Sequence, residues 1–117
     1  MKCEMLLAWY PVENLDAARR FYGEILGLRK VFEMPGWVEY AHAEKATAIG
    51  LAEQPSAPKG ATVVLKVENI EKSRQELTRQ GVKFDGPTQE IPGVVKLALF
   101  RDPSGNPVQL AQPLMPA

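Results

Sequence analysis

Two stretches of the chain carry the same pattern of apolar and polar positions. In each, an apolar strand (5–10 and 62–67) runs into an asparagine, Asn14 or Asn69. Leu15, Ala18, Tyr22 and Ile25 then recur at helical spacing in the first stretch, as do Ile70, Ser73 and Leu77 in the second. The asparagines suit N-caps, because the side-chain oxygen can accept an orphan backbone N–H. Asp16 and Glu71 stand in the first turn, where the helix macrodipole favours negative charge. Gly27 and Gly81 are placed to end the helices in a left-handed conformation. Three strands complete each stretch: 29–33, 37–43 and 46–53 in the first, then 82–85 with a continuation toward Ile91, 94–100 and 107–112 in the second. The predicted topology is βαβββ, written twice.

The duplication is visible residue by residue. Val12-Glu13-Asn14-Leu15-Asp16 matches Val67-Glu68-Asn69-Ile70-Glu71, Arg19 matches Arg74, and Pro35-Gly36 matches Pro92-Gly93. "GLAE" at 50–53 pairs with "QLAQ" at 109–112. These matches divide a single domain, 1–117, into one unit at 1–53 and another at 62–117, joined by the Pro/Gly/Ser linker 54–61. A lone unit cannot cover its sheet. The expected architecture is therefore α+β, with two tandem βαβββ units forming a curved, open, barrel-like mixed sheet and helices outside.

Composition narrows the function without naming it. At 117 residues and 12.9 kDa the chain fits one ordinary globular domain. Fourteen basic and fourteen acidic residues cancel, which is not the basic footprint of a nucleic-acid binder. The lone cysteine, Cys3, gives neither an internal disulfide nor a multi-thiol metal site. The apolar run near the N-terminus is broken by Glu4 and Pro11, too short for a membrane span and without a signal-peptide pattern. A cytoplasmic protein with neither nucleic-acid nor membrane partners is expected.

"PVENLDAARRFYGEILGL" after the first strand and "FRDPSGNPVQL" near the end, together with the repeat, resemble the vicinal oxygen chelate superfamily, which includes glyoxalase I, extradiol dioxygenases and bleomycin-resistance proteins. In its metal-dependent members four side chains, usually two His and two Glu, hold one divalent ion. Carrying those positions over gives Leu7, Gly50, Thr62 and Gln109. The internal repeat supports the registration, since Leu7 aligns with Thr62 and Gly50 with Gln109. Leu has no lone pair, Gly has no side chain, and Thr and Gln offer only neutral oxygens. Protein sites for zinc, nickel, iron or manganese are built from imidazole, thiolate and carboxylate. Gln109 keeps the size and hydrogen-bonding capacity of a glutamate without its charge, which suits an organic ligand. Other candidate ligands are poorly placed. Glu39 and His42, the only histidine, fall on opposite faces of an extended strand, and Glu53 faces away from the Gly50 position.

Strand alternation predicts the rest of the wall. Met5, Leu7 and Trp9 share one face of the first strand, leaving Leu6, Ala8, Tyr10 and Val12 toward the helix. Thr62, Val64 and Lys66, then Pro107, Gln109 and Ala111, share the corresponding face later in the chain. The expected ligand-binding set is Leu7, Trp9, Trp37, Thr62, Lys66 and Gln109. Trp9 serves as an aromatic platform and Trp37 caps the pocket from the "EMPGWVEY" hairpin. Asp102-Pro103 with Gly105-Asn106 is expected to be a structural turn and Arg101 an ion-paired or solvated side chain. Arg19, Arg20, Glu24, Lys72, Arg74, Glu76 and Arg79 are expected on solvated helix faces. The replaced ligand positions lead to the expectation of a metal-independent protein with no cofactor, resembling the bleomycin-resistance branch, and the open sheet edges to that of a homodimer. Its ligand would be a small organic molecule, aromatic or antibiotic-like, held as bleomycin-resistance proteins hold theirs. The rivals are a glyoxalase-type or dioxygenase-related enzyme with a displaced metal or acid–base residues such as Glu39, Tyr40 or His42, and an accessory domain without a ligand.

Overall fold

The computed structural model describes residues 1–41, 47–101, 103 and 105–115. Its strands are β1 (Met5–Val12), β2 (Arg29–Met34), β3 (Trp37–Ala41), β4 (Ala48–Glu53), β5 (Thr62–Lys66), β6 (Gln89–Ile91), β7 (Val95–Arg101) and β8 (Pro107–Pro113). Helix α1 (Leu15–Arg19) continues into a π-helical segment, Arg20–Ile25, and α2 is Ile70–Arg79. The chain forms two compact units: Leu7–Ala61, called the first unit below, and Thr62–Ala117 with Met1–Leu6, called the second. Among the described residues no helix is long and apolar enough to cross a membrane.

Both units have the expected α+β build. In the first, β1 pairs parallel with β4, β4 antiparallel with β3, and β3 antiparallel with β2. In the second, β5, β8, β7 and β6 repeat this order and these directions. The local causes also repeat. Asn14 Oδ1 accepts the Ala17 N–H at 2.9 Å and Asn69 Oδ1 the Lys72 N–H at 3.0 Å. Each helix has a second clamp from its own last strand: Glu53 Oε2 accepts the Leu15 N–H at 2.7 Å, and Gln112 Oε1 the Ile70 N–H at 2.9 Å. Pro35-Gly36 and Pro92-Gly93 make the two tight turns, with the glycines at φ 76° and 74°, as a type II turn requires of its third residue.

Each unit has its own core beneath its helix. Leu15, Ala18, Val38, Tyr40 and Leu51 are buried together in the first, and Val67, Ile70, Ala98 and Leu110 in the second. One face of each sheet is thereby committed to packing, and the opposite face is left for other chemistry.

The helices end differently. α2 closes with a Schellman motif, in which the Val82 N–H reaches the Leu77 carbonyl, the Gly81 N–H reaches that of Thr78, and Gly81 sits at φ 96°. The first copy has one residue more between its capping asparagine and its closing glycine. The helix absorbs that residue by widening, with the Leu26 N–H bonding back to the Phe21 carbonyl. The wider turn shifts the phase of the apolar face. Ile25, expected on the core face by 3.6-residue spacing, is instead 64% exposed, and Phe21 and Leu26 are exposed with it.

Two further expectations are corrected. Residues 82–85 form no strand: Phe84 makes a single bridge to Phe100, Gly86-Pro87 interrupts the extended run with φ 136° and a missing N–H, and pairing resumes only at β6. On the helix-facing side of β1, Val12 joins the core, but Leu6 and Tyr10 are exposed, because α1 begins only at Leu15.

Candidate functional site

In the first unit, β3 and β4 divide their side chains strictly. Val38, Tyr40, Ile49 and Leu51 pack under the helix, while Trp37, Glu39, Ala48, Gly50 and Ala52 take the other face. On β1, Trp9 is the register partner of Gly50 and Leu7 that of Ala48, so both lie on this second face, as alternation predicts. Both are half-buried. The two indoles meet edge to face, with ring centroids 5.9 Å apart and planes inclined by 63°.

Gly50 explains how they fit. A Cβ built on it would collide with the six-membered ring of the Trp37 indole and stand 3.1 Å from the Trp9 Cβ. Trp37 therefore lies across β4 where a side chain at position 50 would project. Glu39, the register partner of Gly50 on β3, holds it there by accepting the indole N–H at 2.8 Å. The sequence signal for this clamp is a Trp-x-Glu spacing that puts both side chains on one strand face.

In the second unit the corresponding face is open. Gln109 pairs with Val64 of β5 on one side and with Leu99 of β7 on the other. It lines a cavity of about 110 Å³ together with Asp85, Gly86, Pro87, Gln89, Leu97 and Leu99. Thr62 begins β5 half-buried. Lys66 ends it, opposite Ala111, with its carbonyl accepting the Glu4 N–H at 2.9 Å. Neither Thr62 nor Lys66 lines the cavity around Gln109. Sequence alternation missed Gln89, Leu97 and Leu99, which could have been found by carrying the face of Gln109 across β7 to β6. Asp85 is ion-paired: Arg101 Nε donates to its Oδ2 at 3.0 Å.

Other candidates fall away from these faces. Tyr40 is buried under the helix, where its ring stacks on Tyr22 and stands 3.2 Å from where a Cβ on Gly23 would be, so it is not an acid–base group of the opposite face. Glu53 serves the helix N-terminus. His42 and Asp102 lie outside the described residues. Arg74 is not an ordinary solvated side chain. Its guanidinium stacks 4.4 Å over the Phe84 ring, Nη2 donates to the Gly86 carbonyl, and Nη1 is buried without a partner among the described residues.

The donor set does not fit a divalent cation. In the first unit the carried-over positions supply an isobutyl group and a glycine already covered by an indole; in the second they supply a hydroxyl and a carboxamide. Among the described residues no cluster of three or more His, Cys, Asp or Glu could hold a metal ion.

Residues 5–110 match the model of the Glyoxalase/Bleomycin resistance protein/Dioxygenase superfamily. No curated protein sequence matches the chain. Among solved structures, methylmalonyl-CoA epimerase from Mycobacterium tuberculosis superposes with a TM-score of 0.77 at 20% identity, covering 95% of this chain and 89% of that one. A glyoxalase/bleomycin resistance protein/dioxygenase superfamily member from Vibrio splendidus 12B01 gives 0.65 at 15% identity, covering 92% and 97%. A catechol 2,3-dioxygenase gives 0.67 at 20% identity, with 97% of this chain spanning 41% of that one. At these identities the likeness is one of fold.

Proposed function

We propose a function for a chain that belongs to the Glyoxalase/Bleomycin resistance protein/Dioxygenase superfamily: it binds a small organic molecule without a metal ion, in the manner of a drug-sequestering protein. One observation carries this reading. The Trp37 indole occupies the space over Gly50 that a metal-binding side chain would need, and beside it Trp9 offers a half-buried aromatic surface. Such a surface suits flat, apolar ligands, with stacking worth about 0.5–1.5 kcal/mol beyond area burial. The family supplies the precedent for small-molecule sites; the residues of this chain supply the preference for an organic ligand over an ion.

A thermal-shift panel tests the reading in two arms. Zinc, nickel and manganese should leave the melting temperature unchanged, whereas an ion binding only the folded state at a hundred times its Kd would add about 2.7 kcal/mol. Small aromatic compounds should include at least one that raises the melting temperature, and Trp9→Ala should erase that rise while remaining folded. A metal-dependent shift, or aromatic binding indifferent to Trp9→Ala, would overturn the proposal.

The reading includes a homodimer. Among the described residues β2 and β6 each have a strand partner on one side only within their units, and such edges invite pairing with another chain. Light scattering at tens of micromolar should give twice the 12.9 kDa chain mass. A monomer mass would count against this part of the reading alone.

A further inference from the structure

The cleft around Gln109 in the second unit has a chemistry of its own. Its floor is apolar, made by Leu97 and Leu99 of β7. On either side stands a carboxamide: Gln109 on β8, the register partner of Leu99, and Gln89 on β6, the register partner of Leu97. The two glutamines are thus two strands apart and offset by two residues along them, roughly 12 Å between Cα atoms at ordinary sheet spacing. Neither amide has a hydrogen-bond partner among the described residues, so each presents a carbonyl acceptor and two N–H donors. Among the described lining residues the one charged group, Asp85, is already matched by Arg101 at 3.0 Å and offers no net charge for a cation. At about 110 Å³ the cavity is well below the roughly 300–1,000 Å³ of sites that enclose a drug-sized ligand, so it accepts a head group of a few heavy atoms.

From this arrangement we infer that the Gln109 cleft recognises an uncharged planar group carrying an N–H donor beside a carbonyl acceptor: a lactam, a primary or secondary amide, or a urea. Either carboxamide can match the adjacent donor and acceptor of such a group through two parallel hydrogen bonds, while Leu97 and Leu99 pack against the plane. The inference rests on the reading that the chain binds an organic molecule, and it names the polar group that this molecule carries. Among the described lining residues a carboxylate would find no unmatched cation, and an ammonium would find the carboxylate of Asp85 already paired.

The probe is 2-pyrrolidone, titrated into isotopically labelled protein while the side-chain amide signals of Gln89 and Gln109 are followed. Both signals should move and saturate. N-methyl-2-pyrrolidone keeps the shape and loses the donor, and it should bind about tenfold more weakly or worse, because a hydrogen-bonding group is left stranded. Gln109→Leu should produce a similar loss for 2-pyrrolidone, and Gln89→Leu supplies a second variant should the first fail to fold. Equal binding of the N-methyl compound, preference for acetate or methylammonium, or an absence of shifts at both glutamines would each overturn the inference. None of these outcomes bears on the metal and Trp9 measurements, so the two readings can fail separately.

Discussion

At Gly50 the first unit lays an indole across its last strand; at the equivalent Gln109 the second unit keeps a side chain beside an open cleft. The scaffolds beneath are the same in strand order, strand direction, capping asparagine and clamp from the last strand to the helix N-terminus. The divergence lies in what the sheet presents away from its helix, in how each helix ends, and in the segment that follows the helix. The helix-facing side is thus held by packing, while the other side is free to change, and in this chain it has changed in opposite directions in the two copies. The conserved-looking arginine pair diverges as well. Arg19 ties its helix to β2 through Glu33 at 2.9 Å, whereas Arg74 makes the equivalent tie by stacking on Phe84 and bonding to the Gly86 carbonyl.

The strongest test of shared scaffolding is Leu51→Ala beside Leu110→Ala. Both leucines have 0% exposure at equivalent places under the two helices. Each substitution should cost about 2–5 kcal/mol in denaturant unfolding. A marked inequality would mean that the two cores are not the equivalents their contacts indicate.

The divergence is tested next by Gly50→Ala. A methyl group there meets the Trp37 ring, and overpacking of this kind costs about 1–3 kcal/mol. Pairing it with Trp37→Ala should recover part of the loss, a coupling that a double-mutant cycle reads directly. Gln109→Ala in the second unit should stay within about 0.5 kcal/mol of the parent, since the residue bonds to nothing described in its unit. If Gly50→Ala were as silent as Gln109→Ala, the indole would not be where it has been placed.

The smallest effect concerns one helix tie. Hydrogen bonds from Lys30 and then Arg19 hold the Glu33 carboxyl below its ordinary range. A carboxylate with a lowered folded-state pKa adds stability above its unfolded value and loses it as pH falls through the folded one. The melting-temperature difference between parent and Glu33→Gln should therefore shrink on acidification from neutral pH to about pH 3. The group is exposed, so the difference should be slight and should fall with added salt. A difference that grew on acidification would contradict the tie.

Much of this was legible in the chain itself, and the failures have physical causes. The duplicated Val-Glu-Asn followed by an apolar residue gave both N-caps and the start of both helices, because capping is local chemistry. Period-two alternation put Gln109 of β8 and Trp9 of β1 on the faces where they are found. Ile25 failed because one additional residue in the first helix changes the period on which the inference rested. The strand expected at 82–85 failed because Gly86 and Pro87 overrule the apolar residues before them. The place of Trp37 was hidden for a different reason. Its ring lies over a glycine thirteen positions away in sequence, and nothing local to either residue records that contact.

That contact also sets an order of events for any change of function. A carboxylate cannot be installed at position 50 while the indole lies there, and removing the indole alone uncovers the strand and loses its hydrogen bond to Glu39. Each single step toward an ion-binding face is therefore unfavourable by itself, and only the pair taken together leads there. The ring over Gly50 acts as a historical ratchet: it makes the first unit's present character hard to leave by one substitution at a time.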